Sequence, residues 1–186
     1  MKPTQPASAL KVPNRPVSGR DHLQGGPAEA PFVLLEYGDY QCPYCGEAYA
    51  LVKEVQQKLG DRLCFAFRNF PLTILHPHAQ HAAEAAEAAG SLGYFWAMHD
   101  MLFENQDALE DDDLAGYASA LRLDPRRLLG EILSGVYTAR VREDFRNGVR
   151  GGVNGTPTFF VNGRHFAGPP TAEGLLAALL ETQSRP

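Results

Sequence analysis

This chain of 186 residues holds only three cysteines, too few for a disulfide framework, which takes at least two bridges in a small fold. Basic residues are also scarce. Against 22 Asp and Glu there are 17 Lys and Arg, a net charge of −5. A phosphate backbone is bound by a basic face, so no nucleic-acid partner is expected. No apolar run approaches the roughly 18 residues of a bilayer-spanning helix, so no membrane segment is expected in this chain. Internal repeats and low-complexity tracts are missing too. What is present, 44% hydrophobic and 21% charged residues, suits a globular protein with one sizeable core.

Residues 1–30 are rich in Pro, Gly and polar side chains and read as a flexible lead-in, with the folded domain over 31–186. The lead-in has no apolar stretch between a basic start and a small-residue cleavage site, so it is not read as a secretory signal. The expected location is cytoplasmic. Thiols there are kept reduced, which argues against a permanent bridge between any two of the cysteines.

Along the domain, PFVLLEYGDY carries a short apolar run of strand length over 32–37. After Cys45, Ala48, Val52, Val55 and Leu59 recur at helical spacing, and Gly60-Asp61 ends the pattern. RLCFAFRNF, 62–70, reads as a second strand stopped by Pro71. Strand–helix–strand predicts a parallel pair joined by a crossover. Residues 76–150 read as a helical insertion. It includes the Ala-rich HPHAQHAAEAAEAAG, a helix with Phe95, His99 and Leu102 on one face, and a helix capped from Asp111–Asp113. Asp124 and Pro125 fit the N-cap and first position of the next helix, and a last helix, with Val141, Phe145 and Val149, ends at Gly151-Gly152. TPTFFV and RHFAG flank Asn162-Gly163, the dipeptide preferred in a tight type I′ hairpin. A closing helix from Thr171 turns Leu175, Leu176, Leu179 and Leu180 inward.

The stretch YGDYQCPYCGEAYALV places Cys42 and Cys45 two residues apart where the first strand gives way to the first helix. Zinc, a structural bridge and redox chemistry all use that spacing. A structural zinc site needs four N or S ligands, and no second CxxC or ligand-spaced Cys/His pair completes one. His76, His78 and His81 cluster at a helix start but read as surface or cleft residues, so no metal site is expected. The redox reading accounts for each position. Unpaired N–H groups and the macrodipole at a helix N-terminus favour a thiolate at Cys42. Cys45, one turn in, is close enough to form and resolve a disulfide. Pro43 fits the first helical turn, where its missing N–H costs nothing.

CPYC after a strand, GTPT before the C-terminal hairpin and a helical block between them resemble the DsbA-like thiol:disulfide oxidoreductases. RDHLQGGPAEAP, LLEYGDYQCPYCGEAY, FRNFPL, HPHA, FWAMHDMLFENQ and GVNGTPTFFVNG extend the resemblance over roughly 17–182, to a branch whose relatives also occur fused to bacterial sodium/proton antiporters. The resemblance implies an α/β thioredoxin-like fold, a mixed β-sheet with the helical insertion between the strand–helix–strand unit and the C-terminal hairpin–helix. It implies Cys42 as attacking thiolate, Cys45 as resolving thiol, and Pro157 as the cis-proline facing them. Thr156 would offer its backbone to an extended substrate beside Pro43 and Tyr44. Glu36 would be the buried acid that exchanges a proton with Cys45; the plainer alternative is a surface carboxylate at a strand end.

The match departs at Tyr44, where DsbA itself has His. With no Lys or Arg near the motif before Lys53, and Asp39 close by, the Cys42 pKa is expected in the middle of the range for such motifs, about 3.5–7.5. Cys64, mid-strand, is expected to be a buried inert thiol. Tyr37, Tyr40, Phe70 and Trp96 are candidates for a peptide groove, with core packing preferred for Trp96 and Phe95. The reading is an enzyme that needs no added cofactor and works on protein or small-molecule disulfides or dithiols with a thiol electron donor. A redox-sensing domain with little turnover is the main rival. A kappa-type glutathione transferase is the other, and Cys45 argues against it.

Overall fold

The computed structural model describes residues 13–181. In chain order the elements are β1 (His22–Gly25), β2 (Phe32–Gly38), α1 (Pro43–Leu59), a 3₁₀ turn at Gly60–Arg62, and β3 (Leu63–Asn69). There follow α2 (Ala79–Gly90), α3 (Phe95–Glu104), α4 (Asp111–Ala120), α5 (Pro125–Leu133) and α6 (Thr138–Arg150), then β4 (Thr158–Val161), β5 (Arg164–His165) and α7 (Ala172–Glu181). The strands form one mixed sheet in the order β1-β3-β2-β4-β5. Only β2 and β3 run parallel, joined through α1, as the strand–helix–strand pattern predicts; the other pairs are antiparallel. This is the expected thioredoxin-like arrangement with its helical insertion.

Alternation along FVLLEYG sends Phe32, Leu34 and Glu36 to one face of β2 and Leu35 and Tyr37 to the other. All five are buried, because both faces of the sheet are covered. On the first face α1, through Ala48, Val52, Val55 and Leu59, and α7, through Leu175 and Leu179, pack over Leu34, Phe65, Phe67, Phe159 and Val161. On the second, Leu35, Tyr37, Ala66, Phe70 and Phe160 meet α6, whose Phe145 ring stacks on Phe70 at 4.3 Å. Alanines make α2 thin enough to be packed by α3, α4, α5 and α6. Asp124 caps α5 with Pro125 at its first position, and Asn162 and Gly163 both take positive φ (46° and 75°), as a type I′ turn requires.

Several expectations are corrected. The flexible lead-in lies outside the described residues only up to residue 12. From residue 13 it is part of the fold, and 22–25 form the edge strand β1. No apolar pattern announces this, because charge holds it: buried Arg68 binds Asp21 through Nε (2.8 Å) and Nη2 (3.1 Å), and also donates to the carbonyls of Arg15 and Pro16. Val149, in the same four-residue series as the buried Val141, is 53% exposed. Gly148 takes the buried position instead, since a Cβ there would stand 2.7 Å from the Phe70 ring. Leu180 is half exposed and Leu176 only partly buried. The cap of α4 is Glu110, in a reciprocal box with Asp113. Tyr37, Tyr40 and Phe70 are core residues, not a groove, and Trp96 and Phe95 pack in the core as preferred.

Candidate active site

Cys42 is the N-cap of α1, in extended backbone (φ −74°, ψ 121°), with Pro43 at the first helical position. Its carbonyl accepts the first helical N–H groups, from Cys45 (3.0 Å) and Gly46 (3.2 Å). Cys42 is 3% exposed and Cys45 and Cys64 are 0%; all three are free thiols. The attacking position is thus almost covered, a difference from the open thiol expected at a helix start. Tyr44 is 66% exposed, and with Pro43 it stands on the surface of the motif.

The Thr156–Pro157 bond is cis, as the resemblance implies, and the Thr156 carbonyl lies 3.5 Å from Cys42 Sγ. Two segments 114 residues apart in sequence therefore meet at one sulfur, because β4 follows the 151–157 loop straight into its place beside β2. The Thr156 hydroxyl is buried with no hydrogen-bond partner among the described residues.

The Cys42 thiol is held down at about 5. Hydrogen bonding from the Cys45 thiol is the largest cause, and it outweighs the opposing effect of burial. The Thr156 side chain and the backbone N–H groups of Cys45 and Tyr44 add to it. The helix terminus thus acts through individual N–H groups, as expected, but a neighbouring thiol contributes more. Cys45 moves the other way, well above the ordinary thiol range, through burial first and then the adjacent Cys42 and Glu36. Burial raises Cys64 to about 11. Alkylation of the reduced protein should therefore label Cys42 alone, with a rate that climbs through a midpoint near pH 5. Equal labelling of Cys64 at neutral pH, read by mass spectrometry, contradicts this ordering.

Glu36 is 2% exposed, which excludes the surface-carboxylate alternative. It sits on the β2 face beneath α1, and its Oε1 has no partner among the described residues. Burial raises its pKa to about 8, with the nearby Cys42 charge adding to the effect.

Asp39 does not oppose the Cys42 thiolate as its position in sequence suggests. Its carboxylate is engaged by the backbone N–H groups of Gln41 and Leu72 and by His76 Nδ1, each at 2.8 Å, while its own N–H points to Cys45 Sγ at 3.4 Å. His76 is thereby assigned to the turn, and His81 pairs with Asp111 at 2.7 Å. Among the described residues no three His, Cys, Asp or Glu side chains converge as a metal site.

Two features escape sequence reasoning. Gln106 Nε2 donates to the carbonyls of Tyr40 (2.7 Å) and Cys42 (2.9 Å), and Gly46 leaves the space its side chain needs. Behind it the Tyr40 hydroxyl and His99 Nδ1 lie 3.0 Å apart, with burial holding His99 well below the ordinary histidine range. Both partners come from the insertion, 59 to 66 residues away; they lie within FWAMHDMLFENQ, which carries the resemblance, but nothing in its local pattern reveals these contacts.

A thioredoxin family profile matches residues 18–181. The chain is 46% identical over 170 residues to the Na(+)/H(+) antiporter NhaA 1 of Salinispora arenicola, and 41% over 182 residues to NhaA 1 of a Mycobacterium species. It covers 91% and 96% of its own length in these matches but 26% and 29% of theirs. The chain thus spans about a quarter of the curated relatives it matches. Among solved structures, oxidised BdbD from Bacillus subtilis superposes with a TM-score of 0.82 at 22% identity, covering 95% of this chain and 100% of that one. A thioredoxin-like oxidoreductase from Silicibacter pomeroyi gives 0.80 at 25%, covering 91% and 95%. With its profile match over nearly the whole described length, the chain belongs to the thioredoxin family, and its fold is that of these thioredoxin-like structures.

Proposed function

We propose that the chain exchanges electrons with protein or small-molecule disulfides through Cys42 and Cys45. The observation that carries this reading is the opposed pair of thiols, one held near 5 and its neighbour raised well above its ordinary range. At neutral pH the first is a nucleophile and the second still holds its proton. The Cys42 thiolate attacks one sulfur of a substrate disulfide; a Cys42–substrate disulfide forms and the other substrate sulfur leaves as a thiolate. Cys45 then loses its proton and attacks Cys42 Sγ, which releases the second substrate thiolate and leaves Cys42–Cys45 oxidised. Two electrons have passed to the substrate, and two thiols of a cytoplasmic donor restore the pair. The reverse sequence oxidises a dithiol. Pro43, Tyr44, Thr156 and Pro157 form the rim that an extended substrate would meet.

Glu36 is the proposed acceptor of the Cys45 proton. Formation of the mixed disulfide removes the Cys42 charge, one of the two causes that raise Glu36, so its ionised form becomes more populated just when a base is required. The resolution rate should rise with pH and level off by about pH 8. Glu36→Gln should slow this step by about 10²-fold or more. An unchanged pH profile of mixed-disulfide decay would remove Glu36 from the mechanism.

The test of the whole reading is the reduction potential of the pair measured beside insulin-disulfide turnover. A thiol near 5 lies between those of thioredoxin and DsbA, about 7 and 3.5, so the potential should fall between about −270 and −120 mV. Tyr44→His, which adds a hydrogen-bonding or charged group, should make the protein more oxidising. A titratable pair without turnover would favour the redox-sensing alternative.

A further inference from the structure

The buried carboxylates among the described residues are Asp21, Glu36, Asp39, Glu84, Glu87 and Asp144. Four of them have a basic partner: Asp21 has Arg68, Asp39 has His76, Glu87 has His22 and Asp144 has Arg140. Glu36 lacks one and lies at the redox pair. Glu84 is the remaining case. It is 2% exposed, and its donors, Gln80 Nε2 (2.6 Å) and Thr138 Oγ1 (2.7 Å), are both neutral and both bind Oε1. No donor or cation among the described residues reaches Oε2. A buried carboxylate without a counter-charge is unfavourable unless something else supplies one.

Glu84 lines a cleft of about 510 Å³ between the segment at Pro71 and Thr73, the start of α2 and the α5–α6 corner. A cleft of this size is in the range of small-ligand sites. It shares no lining residue with the cleft beside Pro43 and is separate from the cysteines. Ile132, Val141 and Phe145 give it an apolar wall, and the exposed Arg142 stands at its rim.

We propose that this cleft binds a lysine or arginine side chain presented by a polypeptide. The ammonium or guanidinium group meets Glu84 Oε2, and its aliphatic stem lies along Ile132, Val141 and Phe145. Arg142 would repel a bare cation but donates to the peptide carbonyl that accompanies a lysyl or arginyl residue. That combination favours a residue within a chain over a free amine.

The test is an NMR titration of the isotope-labelled, reduced protein with acetyl-Leu-Lys-Leu-amide, its norleucine counterpart, and butylammonium. The lysyl peptide should give saturable shifts at Glu84, Thr138 and Val141, with the norleucine peptide at least about tenfold weaker. Glu84→Gln keeps an oxygen for Gln80 and Thr138 and should lose the same factor with its fold intact. Equal binding of the two peptides, no saturable shift, or undiminished binding by Glu84→Gln would overturn the site. Butylammonium binding as tightly as the lysyl peptide would overturn the polypeptide assignment. The wild-type comparison stands even if the variant fails to fold. Turnover at Cys42 is not read, so the result is independent of the redox proposal.

Discussion

Cys42→Ser should bring disulfide exchange down to the uncatalysed rate, a loss of about 10⁴-fold or more of the kind seen when a catalytic nucleophile is removed. A hydroxyl at this position does not ionise at neutral pH, so the stabilisation that holds the thiol near 5 has nothing to act on. Cys45→Ser should behave differently. Cys42 still attacks, but no thiol resolves the product, and substrate accumulates on the protein as a mixed disulfide. The first attack should also slow, because the Cys45 thiol is the main stabiliser of the Cys42 thiolate and its loss raises the Cys42 pKa. Non-reducing gels and mass spectrometry after exposure to a peptide disulfide read both effects. Adducts on Cys45→Ser no more abundant than on Cys42→Ser would reverse or cancel the assigned roles. Cys64→Ala should leave turnover nearly unchanged, since that thiol is fully buried in β3.

The largest effect on stability should come from Arg68. Its side chain is 0% exposed, as is that of Asp21, and it also donates to the Tyr37 hydroxyl at 2.8 Å. Arg68→Met leaves Asp21 with the partly buried Arg15 and the Ser18 N–H, and strips the donors from two backbone carbonyls. Removing one member of such a buried pair costs about 3–5 kcal/mol. Urea unfolding should show this loss, and β1 should be the first element to lose hydrogen-exchange protection. The acid side has a definite sign. Burial pushes Asp21 up, but hydrogen bonding and charge from Arg68, joined by the Ser18 N–H and the Arg15 charge, outweigh it and hold Asp21 below 3.8 in the fold. Its contribution is present above that unfolded value and is lost as pH falls through the lowered folded value. Arg68→Met should therefore flatten the acid limb of the stability profile. A variant as stable as wild type, with an unchanged acid limb, would show that apolar packing alone holds the lead-in.

Short-range information carried most of the fold. Strand alternation, the Ala48–Leu59 face, the Asp124-Pro125 start and the Asn162-Gly163 turn are each set within a few residues, where backbone preferences and hydrophobic period act. The resemblance carried by CPYC and the distant GTPT marked the two segments that meet at Cys42, and the same resemblance pointed to Glu36. The failures share a physical cause. β1 is a four-residue strand with one apolar side chain, so no hydrophobic period marks it; its ladder to β3, the Asp21–Arg68 pair and the His22–Glu87 pair hold it in place. Val149 is turned out because Phe70, nearly 80 residues earlier, leaves room only for Gly148. Asp39 looked like an opposing charge until His76 and Leu72 folded onto it, and Gln106 had no signal until the helical insertion brought it under Cys42. Residue type and local pattern were enough to name the residues that could do redox chemistry and to order the elements that hold them. Packing set the rest: burial raises Glu36 and Cys45 and brings Thr156 onto Cys42, whereas the largest effect on Cys42 comes from Cys45, three residues along the chain.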